Sequence, residues 1–179
     1  MEFKKSAILG LTEIFPRIFK DERGHFLETY QYELFKNNGV DAQFIQDNQS
    51  FSTKGVLRGL HFQNAPYAQG KLVRVISGKV LDVAVDIRPG SPTFGKHETF
   101  VLTAELSNMV FIPEGFAHGF LTLEDAVFSY KCTNLYNKAS EGGLLWNDPE
   151  IGINWAYENP LVSEKDIILP TLAEFKKSL

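Results

Sequence analysis

Glycine and proline cut the stretch from about Gly55 to Tyr136 into short pieces. They fall at Gly55, Gly59, Gly70, Gly78, Pro89-Gly90, Pro92, Gly95, Pro113 and Gly115. The pieces between them read as strands, and many short strands separated by turn signals fold as a sandwich or a barrel. Fifteen Phe, six Tyr and two Trp fit the same conclusion, supplying an aromatic-rich β core or a pocket that stacks on rings. Helix signals are few. Glu33 to Asn38 forms a short one stopped by Gly39, and Thr171 to Leu179 forms another, with Thr171 and Glu174 at capping-box spacing. Trp146-Asn147-Asp148-Pro149 and Glu158-Asn159-Pro160 read as turns.

Two strand regions carry polar groups into this apolar setting. Ser77-Gly78 has the form of a two-residue turn, predicting a hairpin of Lys71–Ile76 with Lys79–Ile87. That register sets Val75 opposite Val80, Val73 opposite Asp82 and Lys71 opposite Ala84. Lys71, Val73, Asp82 and Ala84 then share one face, while Leu81, Val83, Val85 and Ile87 form an apolar stripe on the other. A face that mixes Lys71 and Asp82 suggests the lining of a polar cavity, with Asp82 available to a base there. Asp86 is expected to tie down a loop. In Gly55–Gln63 strict alternation separates Arg58 from His61, and a bulge at Gly59 would bring them to the same side.

Charge and cysteine content narrow the function. A formal net charge of -4 gives no reason to expect nucleic acid or an anionic membrane as partner. No apolar run approaches the ~20 residues of a membrane-spanning helix, and no signal peptide is visible. The single cysteine, Cys132, excludes an internal disulfide, reads as a core residue and suits a reducing cytoplasm.

Two segments resemble the paired motifs of the cupin β-barrels. Pro113-x-Gly115-x-x-His118 matches the second motif. Gly55-x5-His61 and Lys71-x6-Gly78 match the two ends of the first, but Gln63 replaces its second histidine and Lys71 its glutamate. An ammonium repels a divalent ion, and only His61 and His118 remain as donors, so no metal and no cofactor is expected. A cavity with histidine, lysine and tyrosine instead suits removal of a proton beside a carbonyl. Histidine supplies a base poised near neutral pH, lysine a fixed charge for the enolate oxygen, and tyrosine a neutral acid.

Over Phe19 to Leu169 the chain resembles the dTDP-4-dehydrorhamnose 3,5-epimerase family. The residues that carry the likeness include Phe19-x-Asp21-x-Arg23-Gly24-x-Phe26-x-Glu28, Gln46-x-Asn48-x-Ser50 and Gly55-Val56-Leu57-Arg58-Gly59-Leu60-His61-x-Gln63. They continue through Asp82-Val83-Ala84-Val85-Asp86-x-Arg88, Pro113-x-Gly115-Phe116-Ala117-His118 and Ser163-x-Lys165-Asp166. The resemblance implies an all-β, cupin-type jelly-roll barrel with short peripheral helices. It implies one domain over 1–179: a segment of about 1–50 contributing to a dimer, a barrel over about 51–136, and a cover over 137–179. His61 is then the base for C3 and C5 of a 4-keto sugar, Asp166 its partner, Tyr130 the acid, and Lys71 the enolate donor. Phe19, Arg23, Phe26, Glu28, Gln46, Asn48, Arg58, His118, Tyr136 and Lys165 are implied to hold the dTDP-sugar, Tyr136 near the thymine. A cytoplasmic homodimer with an exchanged N-terminal strand is implied as well. Single-site epimerases at C3 or C5, and a non-catalytic sugar-nucleotide-binding cupin, are the competing expectations.

Overall fold

A computed structural model describes the whole chain, residues 1–179. The N-terminal elements are β1 (Glu2–Lys5), β2 (Thr12–Phe15), β3 (Ile18–Asp21), β4 (Gly24–Leu27) and helix α1 (Tyr32–Asn37). Then come β5 (Gln46–Ser52), β6 (Leu57–Gln63), β7 (Lys71–Asp86), β8 (His97–Thr103) and β9 (Met109–Ile112). The long β10 (Phe116–Cys132), short β11 (Glu141–Gly143) and helix α2 (Leu172–Lys176) complete the chain. The fold is all-β with short helices at its periphery, as the sequence predicts. Gly39 follows α1 with φ +87, and Thr171 and Glu174 make both bonds of the capping box on α2.

The antiparallel pair β7–β10 is the spine, running from Phe116 opposite Asp86 to Cys132 opposite Lys71. Its two ends have different neighbours. Lys71–Arg74 of β7 pairs with β9, and Ala126–Cys132 of β10 pairs with β5. Lys79–Val85 pairs instead with β8, and His118–Leu121 with β6. Two sheets result, β1-β2-β9-β7-β10-β5 and β8-β7-β10-β6-β11, joined through the bent long strands without a ladder that closes the ring. This is a jelly roll.

The bend corrects one expectation. The Ser77-Gly78 hairpin does not form: β7 continues through Gly78, so Val75 faces Phe128 and Val80 faces Thr122 across the ladder, not each other. Gly78 is in the left-handed region (φ +79), and a Cβ there would lie 2.0 Å from the carbonyl oxygen of Asp125. The residue serves a close strand crossing, and the ladder shifts register between Thr122 and Phe128. A bulge inverts the in–out alternation just as a turn would, so the predicted faces survive. Val73, Val75, Val80 and Ala84 join the inner core with Phe116, Phe120 and Phe128. Val83, Val85 and Ile87 point the other way, into a second core covered by Leu144, Ile151, Trp155 and Leu172. A third cluster packs Phe35 of α1 and Val40 on Leu72, Met109 and Phe111.

Asp86 ties down the loop after β7, as expected. Its fully buried carboxylate accepts hydrogen bonds from Arg88 Nη2 (2.7 Å), Ser91 Oγ (2.6 Å) and Thr93 Oγ1 (2.6 Å). Burial alone would raise its pKa, but these donors outweigh burial and hold the carboxyl well below the usual carboxylate range. A depressed folded-state pKa gives stability that is complete above the unfolded value and is lost as pH falls through the folded one. Asp86→Ala is therefore expected to lower unfolding free energy by about 3 kcal/mol at neutral pH, as breaking a buried pair does. Denaturant melts check this; a loss below about 0.5 kcal/mol would mean the loop holds itself.

Candidate active site

A cavity of about 550 Å³ lies among β5, β6, β7 and β10 and the Leu161–Asp166 segment. Phe120 and Phe128 contribute to its lining, stacked at 4.2 Å between ring centroids. His61, Lys71, Tyr130, Arg58, His118, Lys165 and Asp166 line the same space, seven of the residues singled out in the sequence. An adjoining cavity of about 300 Å³ is lined by Gln46, Asn48 and Tyr136 and shares His61, Lys71 and Tyr130 with the first.

Gly59 explains how Arg58 and His61 come together. His118 is opposite His61 but Phe120 is opposite Arg58, so β6 carries one extra residue against β10. Gly59 sits in that bulge at φ +126, and a Cβ there would lie 2.6 Å from Gly119 Cα. His61 Nε2 lies 2.7 Å from Asp166 Oδ1, with side chains 31% and 4% exposed. An ionised Asp166 accepts the hydrogen of Nε2 and leaves the lone pair of Nδ1 as the basic position. Burial would raise the pKa of Asp166. Bonds from His61, the Gly59 N–H and Ser163 overcome this and hold it below the ordinary value, so the acid stays ionised beside the ring.

Burial also sets the states of the other two groups. It raises the Tyr130 hydroxyl above its usual pKa, with Cys132 adding to the effect and Arg58 opposing it, so the phenol keeps its proton. It pushes the Lys71 ammonium down, while Cys132, Asp82 and Glu141 act the other way. Lys165 is held by Glu141 at 2.6 Å, and Glu141 also accepts from Tyr136 Oη at 3.1 Å. Arg58 is steadied through Ser52 Oγ at 3.0 Å.

Asp82 does point inward, but His61, the residue expected to act as base, is not its partner. It lies 2.7 Å from His118 Nε2, forming a second histidine–carboxylate pair, and its Oδ1 has no hydrogen-bond partner. Sequence reasoning did not single out Glu141, which the short β11 strand places beside His61 by pairing with β6. Cys132 is buried beneath the site, within 3.6 Å of Asn48 Nδ2, as a core thiol. The donor set does not fit a divalent ion. The two histidines offer only one free ring nitrogen each, no third acidic, histidine or cysteine donor joins them, the Gln63 amide is spent on backbone groups, and the Lys71 ammonium lines the same cavity.

Four residues lie elsewhere. Phe19, Arg23 and Phe26 sit on the β3–β4 hairpin, a separate two-stranded sheet, and Glu28 follows it. Arg23 pairs with Asp21 at 2.5 Å, and none of the four lines either cavity within this chain.

A sequence profile of the dTDP-4-dehydrorhamnose 3,5-epimerases matches residues 5–174. The chain belongs to the dTDP-4-dehydrorhamnose 3,5-epimerase family. Among the epimerases it resembles, that of Shigella flexneri is 56% identical over 169 residues, 93% of each chain. The solved dTDP-6-deoxy-D-glucose-3,5-epimerase of Legionella pneumophila Philadelphia 1, in complex with dTDP-4-keto-L-rhamnose, is 44% identical with a TM-score of 0.92, over 96% of this chain and 93% of that one. A 3'-monoepimerase from Streptomyces bikiniensis, in complex with dTDP-quinovose, is 36% identical with a TM-score of 0.91, over 97% of this chain and 89% of that one.

Proposed function

We propose that the chain inverts C3 and C5 of dTDP-4-keto-6-deoxy-D-glucose, giving dTDP-4-keto-L-rhamnose. The observation that carries the reading is the His61–Asp166 pair on the wall of a cavity that also presents Tyr130 and Lys71. His61 removes the proton at C3, and the electron pair moves onto the C4 oxygen. The Lys71 ammonium stabilises the enolate that forms. Tyr130 delivers its hydroxyl proton to C3 from the other face, which completes one inversion. His61 then releases its proton to solvent and Tyr130 regains one before the same steps act at C5. Asp166 holds the imidazole in one orientation and one tautomer throughout.

Binding follows from the charges and rings around this centre. Arg58 and Lys165 face the diphosphate as hydrogen-bonding cations, with His118 on the same wall. Gln46, Asn48 and Tyr136 receive the nucleoside, with the Tyr136 ring against the thymine. We place Phe19, Arg23, Phe26 and Glu28 in the site of a second copy, making the protein a homodimer with exchanged N-terminal hairpins. The exposure of Phe19 (49%) and Phe26 (69%) supports this, since two aromatic rings on one small hairpin otherwise lie in water. The segment of about 1–50 thus contributes to the dimer through its β3–β4 hairpin, while β1, β2 and α1 pack on this chain's own sheet; about 51–136 is the barrel and 137–179 its cover. No helix is long and apolar enough to cross a membrane. A buried free thiol at Cys132 supports a cytoplasmic setting.

Proton NMR of dTDP-4-keto-6-deoxyglucose incubated with the protein in heavy water, with a strong chelator present, tests the reading. Deuterium is expected at both C3 and C5. Entry at one carbon alone would make the protein a single-site epimerase, the reading that the likeness to the 3'-monoepimerase favours. No exchange, with dTDP still bound, would leave only a sugar-nucleotide-binding barrel. A strict metal requirement would overturn the metal-free mechanism.

A further inference from the structure

Gln63 closes β6 with a buried side chain, and all of its bonds go to backbone groups of two loops. Its Nε2 donates to the carbonyl oxygens of Tyr67 (2.6 Å) and Leu135 (3.1 Å), and its Oε1 accepts from the Asn137 N–H (2.7 Å). Both amide hydrogens are used. The same two loops are stitched again by Gln69 Nε2 on the Asn134 carbonyl (2.7 Å) and Asn134 Nδ2 on the Pro66 carbonyl (3.0 Å). Between Leu135 and Asn137, the two points Gln63 grips, stands Tyr136. Its N–H is held by Gln46 Oε1 at 2.9 Å, and the residue, 56% exposed, lines the smaller cavity.

We propose that Gln63 is a positioning residue for nucleotide recognition. It fixes the 134–137 turn so that the Tyr136 ring meets the base face-on; its side chain reaches the wall of the same cavity, but its amide is committed to the two loops. The inference rests on Tyr136 being the aromatic platform for the nucleoside. The physical reason is the chain's need to hold a loop residue by its backbone. Tyr136 is exposed and receives little packing, so apart from its hydroxyl bond to Glu141 its ring is placed by the peptide groups on either side. A side-chain amide is the one neutral group that donates twice and accepts at the same end. The histidine of the cupin pattern at this position could not make all three bonds.

A double-mutant cycle on dTDP binding and on steady-state turnover tests this, using Gln63→Leu, Tyr136→Ala and the combination. Gln63→Leu is expected to raise the dTDP dissociation constant and KM about tenfold, what one or two ordinary hydrogen bonds are worth, with a much smaller change in kcat. The double variant should bind no more weakly than Tyr136→Ala alone, because both changes remove the same platform. Gln63→Glu keeps the shape and the acceptor toward Asn137 but loses both donors. It covers the case in which the leucine variant does not fold, and is expected to weaken dTDP binding in the same direction. Independent, additive losses, or a fall in kcat at constant KM, would overturn the proposal. Normal binding by both Gln63 variants beside a weakened Tyr136→Ala would overturn it while leaving the platform intact. If Tyr136→Ala itself binds dTDP normally, the platform reading falls and this inference falls with it.

Discussion

His61→Ala is expected to lower kcat by about three orders of magnitude or more, within the range a positioned general base supplies, while dTDP binding changes only a few-fold. The expectation follows from the division of labour in the cavity. The cations and amides proposed to hold the nucleotide, Arg58, Lys165, Gln46 and Asn48, do not depend on the imidazole for their own hydrogen bonds. Asp166 does depend on it. Without His61 this carboxylate, almost fully buried, loses its shortest bond and keeps only the Gly59 N–H (3.3 Å) and Ser163, so the alanine variant should also lose about 1–3 kcal/mol of stability. His61→Gln restores an N–H donor near Asp166 but supplies no base. It should recover stability without recovering turnover, and that split separates chemistry from packing. Deuterium exchange at C3 and C5 should vanish with kcat in both variants. Substantial residual exchange in a folded variant would remove His61 from the base role.

Much of this site was legible because its signals are local and chemical. A glycine inside an apolar strand marks a bulge, and at Gly59 the bulge is what joins Arg58 to His61. Inward parity placed Lys71 and Asp82 beside the cavity, even though the reason given for that parity, a turn at Ser77-Gly78, was wrong. The error is instructive. A two-residue turn and a close crossing of long strands both demand a residue free to adopt positive φ with nothing on its α-carbon. Sequence shows the demand and not its cause; only the carbonyl of Asp125 pressed against Gly78 tells them apart.

Partnership across the fold was legible only through the family resemblance, which paired Asp166 with His61. Two histidines and two inward acids allow two pairings, and nothing in spacing assigns Asp166 to His61 and Asp82 to His118. The bulge settles this by bringing the Gly59 N–H toward Asp166, more than a hundred positions away along the chain. Glu141 was invisible for a related reason. It acts through Lys165 and Tyr136, and an acid before two glycines reads in the sequence like any loop charge. The β3–β4 hairpin stands apart from the site within this chain, because its phenylalanines and Arg23 line neither of the two site cavities.

Lys71→Met is expected to lower kcat by about 10²–10³, the cost of removing one donor to a developing oxyanion, with KM changed far less. Methionine nearly matches the volume of the lysine stem, so the cavity neither collapses nor fills and the loss can be assigned to the charge. Stability should move the opposite way. Burial lowers the pKa of Lys71 in the folded chain, which means that its charged form is penalised there relative to the unfolded chain. That penalty is present in full when pH is below the folded value, and it fades as pH rises toward the unfolded one. Removing the ammonium lifts it, so Lys71→Met should melt at the same temperature or higher while turning over hundreds of times more slowly. A residue that weakens the fold and serves the reaction is retained for the reaction. An unchanged rate would place Lys71 outside the chemistry; a large fall in melting temperature would mean that its charge holds Asp82 or Glu141 in place and acts on the rate only through them.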